Sequence, residues 1–158
     1  MPIIYLSPST QENNYFVNGG TEEQYMNLLA DKMIPYLDAS GIRYVRNTPS
    51  MTAASSIAAS NAGNYDLHPA LHSNAAPESK YGTVRGSIVF YYPSSSKGRR
   101  AAEIIANGLK DIYPNPNLVR AEGTTAIGEV RRVRAPSVFL ELAFHDNVAD
   151  ANWIKNNL

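Results

Sequence analysis

The chain has 158 residues, 44% of them hydrophobic and 18% charged, which suits one globular domain with a single core and excludes a disordered tail. Lys and Arg balance Asp and Glu at 14 each, so the sequence offers no electrostatic footprint for nucleic acid or an anionic membrane. With no cysteine there are no disulfides or thiolate metal sites, and any metal has to sit on His, carboxylate or amide groups.

No run of the sequence approaches transmembrane length. The first residues, Met1 to Leu6, lack a basic n-region and meet Ser7-Pro8-Ser9 too soon for a signal peptide. An extracellular substrate would therefore call for another way out, such as release on lysis.

Ile3 to Leu6 is a short apolar run stopped by Ser7-Pro8-Ser9 and reads as a buried strand. Thr10 to Gly20 is a polar loop after a strand, the usual place for function in an α/β sheet. Thr21 is placed to cap a helix running to about Ala39, with acids in its first turn. Met26, Leu29, Ala30, Met33 and Leu37 form its apolar stripe. Four residues before Met26 lies Glu22, which extends the buried face, whereas Glu23 is turned by about 100°. Glu22 is therefore the expected site residue of the two.

Ile42 to Arg46 reads as the next strand, and the Ala- and Ser-rich stretch Ser50 to Gly63 as a helix packed closely on the sheet. Tyr65 to Leu71 is a strand that delivers His72, with an irregularity expected near Pro69 because proline cannot donate to a ladder. Ala76 to Gly82 is a loop, Gly86 to Tyr92 a strand, and Arg99 to Ile112 a helix with Ala102, Ile105, Ala106 and Leu109 inward. The segment Val119 to Val133 reads as a loop with a short strand around Val130. Pro136 to Leu142 is an apolar strand except for Glu141, and Val148 to Asn156 a closing helix capped by Asp146 or Asn147. Strands alternating with helices predict a single α/β domain, residues 1–158, with a twisted, mainly parallel central sheet flanked by helices.

Two apolar strands that each end in a reactive side chain, His72 and Glu141, suggest one site at one edge of that sheet. A carboxylate there is costly unless paired, hydrogen-bonded or held on a metal. Catalytic zinc uses histidine and carboxylate ligands with one open position, and it lowers the pKa of its bound water to about 7. A second carboxylate that is not a ligand can take that proton and pass it to a leaving amine. On this reading His72 and Glu22 bind one zinc ion, and Glu141 is general base and then general acid. No Gly-x-Ser-x-Gly elbow or phosphate-loop pattern competes with it.

Four stretches resemble the zinc-dependent N-acetylmuramoyl-L-alanine amidases of the amidase-3 type. They are the opening strand into Ser7-Pro8-Ser9; Glu22-x-x-x-Met26 followed by Leu29-Ala30; Asp66-Leu67 through Leu71-His72-Ser73-Asn74-Ala75; and Pro136 to Leu140, Glu141-Leu142-Ala143-Phe144, Asp146-Asn147. They occur in order over nearly the whole chain. The resemblance implies a hydrolase that cuts the amide between N-acetylmuramic acid and the L-alanine of the stem peptide in bacterial peptidoglycan. It also implies a phage or prophage lysin catalytic domain with a separate cell-wall-binding module beyond it. Other readings are a zinc peptidase acting on the stem peptide and a metal-free wall-binding module that has lost catalysis.

One departure from the family pattern concerns the metal. The family places its first zinc ligand, a histidine, in the loop after the first strand, where this chain has Ser9-Thr10-Gln11. Gln11 is the expected third ligand through its amide oxygen, with Thr10, His145 and His68 as alternatives. His68 lies about 13 Å back from His72 along an extended strand, too far for a shared ion. His145 and Asn74 are expected to line the substrate site.

Overall fold

A computed structural model describes residues 1–158. Its strands are β1 (Ile3–Pro8), β2 (Arg43–Arg46), β3 (His68–Asn74), β4 (Ser87–Tyr91), β5 (Val119–Gly123) and β6 (Ser137–Phe144). Its helices are α1 (Glu22–Ala39), α2 (Ala53–Ala62), α3 (Ser96–Lys110), the single-turn α4 (Gly128–Arg131) and α5 (Val148–Asn156). The strands form one six-stranded sheet in the order β2-β1-β3-β6-β4-β5. Every neighbouring pair is parallel except β4 with β6, so the sheet is mainly parallel as expected.

Local chemistry sets the helix starts. The Thr21 side chain accepts from the N–H of Gln24, and Glu22 and Glu23 occupy the positive end of α1. Thr52 and Ser55 form a reciprocal capping box at the start of α2. Asn147 caps α5 by accepting from Asp150 N–H. Gly86, just before β4, has φ of +130°, and a Cβ there would lie 2.6 Å from the Leu118 carbonyl oxygen. Only glycine lets the chain enter β4 at this point.

The main core lies between the sheet and helices α1, α3 and α5. Leu6, Leu71, Val89 and Val138 meet Met26 and Ala102, all but fully buried. The opposite face of the sheet carries a smaller apolar cluster, Ala70, Val130 and Phe139. Beside that cluster runs a set of buried polar side chains: Ser7, Asn47, Ser56, Ser60, His68 and Glu129.

Several expected boundaries move. β3 and β6 both run on past the apolar stretch, so His72 and Glu141 lie inside strands and not at their ends. The register of β3 with β6 passes evenly through Pro69, and the irregularity falls instead between His72 and Asn74. The short strand expected around Val130 is the helix α4, and a strand forms earlier, as β5 at the sheet edge. β5 reads Val-Arg-Ala-Glu-Gly; its two apolar residues alternate with charged ones, but the run is short, only Val119 is buried, and no aromatic or second β-branched residue marks it as a strand. Helix α3 begins three residues before the expected Arg99, because Ser95 caps it by accepting from Gly98 N–H.

Candidate active site

His72 and Glu141 are direct cross-strand partners in the register of β3 and β6. In-register residues on neighbouring strands point to the same face of a sheet, so the two side chains share one wall. Glu22, the first residue of α1, reaches over the same edge. Its burial on the core-facing side of the helix agrees with the helical spacing back from Met26. These three side chains, with Gln11, Asn74 and His145, line a cleft of about 590 Å³.

The Glu22 carboxylate is fully partnered. Its Oε1 lies 2.7 Å from His72 Nδ1 and accepts from Ser73 N–H at 3.3 Å. Its Oε2 accepts from Asn14 Nδ2 at 2.7 Å. Burial would raise its pKa, but the hydrogen bonds and charge of His72, with Asn14 and Ser9, outweigh burial and hold it below the ordinary value.

Glu129, on α4, is a site residue not expected from the sequence. Its Oε1 lies 3.4 Å from His72 Nε2. Its Oε2 lies 2.8 Å from His68 Nε2 and accepts from the Ser7 hydroxyl at 2.8 Å. Burial would push its pKa up, yet the two imidazoles bring it down to about 2. His72 thus lies between two carboxylates. Burial would lower its pKa, but Glu129 and Glu22 hold it up at about 9. The His72 ring stacks on Phe139 with centroids 4.1 Å apart.

Glu141 is the opposite case. Its Oε2 is sealed from solvent and has no hydrogen-bond partner. Burial drives its pKa to about 8, the His72 cation pulls against that, and the Glu22 charge adds to it. A carboxylic acid that exchanges its proton near neutrality, on the wall of a cleft, has the property wanted of a general acid or base.

The remaining expected residues divide. His145 lines the cleft, with Nδ1 held 2.8 Å from the Ser73 hydroxyl and its ring stacked on Phe16. Burial lowers its pKa. Asn74 lines the cleft, and its Oδ1 accepts from Ala75 N–H. Gln11 also lines the cleft, but its side chain makes no hydrogen bond to Glu22 or His72. His68 is tied to Ser60 and Glu129.

This geometry bears directly on zinc. His72 Nδ1 and Glu22 Oε1 face each other at the cleft, which Glu129, Glu141 and His145 also line. No group of three His, Cys, Asp or Glu side chains is placed to hold one ion. The residues beside Glu22 from the loop after β1 are Ser9 and Asn14, a neutral hydroxyl and a neutral amide. Catalytic zinc takes three protein ligands. The side chains present supply two of them and do not fit a three-ligand centre.

A family model for N-acetylmuramoyl-L-alanine amidase matches residues 9–158. No curated protein matches the chain. Among solved structures, an N-acetylmuramoyl-L-alanine amidase from Clostridium difficile 630 aligns with a TM-score of 0.84 at 14% identity, covering 99% of this chain and 87% of that one. AmiC2 of Nostoc punctiforme aligns with a TM-score of 0.82 at 14% identity, covering 99% and 87%. The catalytic domain of CD27L endolysin, which targets Clostridium difficile, aligns with a TM-score of 0.76 at 24% identity, covering 99% and 88%. At these identities the alignments speak for the fold, and the family model for the family.

Proposed function

We propose, from the premise that the chain belongs to the N-acetylmuramoyl-L-alanine amidase family, that its cleft uses Glu141 to move the proton in amide hydrolysis. The family's reaction cuts the bond between N-acetylmuramic acid and L-alanine, so the substrate is bacterial peptidoglycan. The observation that carries the role of Glu141 is its sealed, unpartnered Oε2 beside His72 on the cleft wall. As a carboxylate it takes a proton from the attacking water. As a carboxylic acid it gives that proton to the amine of the departing L-alanine. A pKa of about 8 keeps both forms accessible near neutrality.

His72 and Glu22 would be the two metal ligands of a zinc-dependent member. Because the donor set lacks a third, no step of this reading runs through zinc. His145 and Asn74, on the rim of the same cleft, are suited to hydrogen-bond the stem peptide or the lactyl group. The CD27L endolysin catalytic domain shares the fold, which supports a lytic setting.

The test is product analysis on purified cell wall. An amidase frees stem peptides carrying a new N-terminal L-alanine, and Glu141→Ala should stop their release while the chain stays folded. Full activity in that variant would remove Glu141 from the mechanism. The missing third donor favours one second reading, a wall-binding module without catalysis. That module would co-sediment with cell wall and release nothing.

A further inference from the structure

Glu129 enters the site from the connection between β5 and β6, 57 residues along the chain from His72. It is 5% exposed, and a carboxylate is expensive to bury without strong partners. Its partners form a continuous path. His72 Nε2 meets Oε1; the Ser7 hydroxyl and His68 Nε2 meet Oε2; His68 Nδ1 in turn lies 2.9 Å from the Ser60 hydroxyl. With Nε2 aimed at the Glu129 carboxylate, His68 keeps Nδ1 within hydrogen-bond distance of the Ser60 hydroxyl. The His68 ring lies flat against Tyr5, with centroids 5.3 Å apart and planes 11° apart.

This path has a use in the cleft. Stacking on Phe139 fixes the plane of the His72 ring, but a ring turned over in that plane would stack equally well. What distinguishes the two orientations is where each nitrogen finds a partner. A carboxylate at the far end accepts from Nε2–H and so turns Nδ1 toward Glu22 and the cleft. Outer partners of this kind set the orientation of functional histidines.

We propose that Glu129, held by His68 and Ser7, is a positioning residue that fixes the orientation of the His72 ring. His68 and His72 are then linked through Glu129 and not through a shared ion. Only the activity arm of the test below rests on the function proposed above.

Long-range proton–nitrogen correlation spectra of the imidazoles read the ring state directly, with His72 assigned by comparison with His72→Gln. In the wild-type chain the His72 ring should give one set of signals, from a single orientation in which Nε2 keeps its hydrogen toward Glu129. In Glu129→Ala the His72 nitrogens should shift and lose that single state. Ser7→Ala, which keeps the carboxylate but removes one of its donors, should give a smaller shift in the same direction. On purified cell wall, Glu129→Ala should lower kcat by about 10- to 100-fold with KM unchanged. A folded Glu129→Ala chain, intact by near-ultraviolet circular dichroism, with wild-type His72 signals would overturn the proposal. If Glu129→Ala does not fold, wild-type His72 signals in Ser7→Ala do the same. A wild-type chain inactive on cell wall would count against the amidase mechanism and leave the spectroscopic result to decide the role of Glu129.

Discussion

Replacing Glu141 by glutamine separates the cost of this residue from its use. Glu141 has a folded-state pKa of about 8 against an ordinary 4.5. Between those values the native chain holds a proton that the unfolded chain has released. The unfolded state binds fewer protons, so this group makes stability fall as pH rises through that window. At about 1.4 kcal/mol per pKa unit, its cost is about 1 kcal/mol at pH 5 and about 3 kcal/mol at pH 6.5. Glutamine stays neutral at both. Its amide needs partners of its own, but that penalty does not vary with pH. The advantage of Glu141→Gln over wild type should therefore grow by about 2 kcal/mol between pH 5 and pH 6.5. Taking the difference between the two chains cancels the contributions of His72, Glu22 and Glu129. Urea denaturation of both chains at the two pH values, with chelator present, measures it. A difference that stays within about 0.5 kcal/mol across the two pH values would refute the claim that burial holds Glu141 neutral. The same variant should release no stem peptides from cell wall, so a stability difference that grows with pH would accompany a loss of activity.

Restoring a histidine in the first loop tests the metal argument: Thr10→His should tighten zinc binding by on the order of tenfold or more in chelator competition. Equal affinity in wild type and variant would mean that the chain already has its third ligand. Asp150 is fully buried and accepts from Arg85 Nε, the Tyr113 hydroxyl, and the N–H groups of Gly86 and Phe144. Asp150→Ala orphans four donors, one of them an arginine, and should cost about 3–5 kcal/mol in urea denaturation. Leu71→Ala, in the centre of the sheet, should cost about 2–5 kcal/mol, with little change in the near-ultraviolet signal of the cleft aromatics.

What the sequence reveals here depends on whether a residue answers to its neighbours in the chain or to a distant partner. Glu22 was legible because helix periodicity counted back from Met26 placed it on the buried face, and it is 2% exposed there. His72 and Glu141 stood out because each interrupts an apolar run. Strand periodicity could not show that they are cross-strand partners, since the register of β3 and β6 is a tertiary property. Glu129 left almost no local trace. It sits in one turn of helix after an exposed edge strand, and its burial is justified only by His68, His72 and Ser7, which come from β1 and β3. His68 looked irrelevant when distance along its strand was the only measure, and a carboxylate from α4 removes that objection by bridging the gap. The two unreadable features are therefore connected. Both turn on one carboxylate that arrives from a different segment and meets His68 and His72. The burial of Glu129 makes physical sense as part of a cleft in which His72 is held by protein carboxylates on both sides.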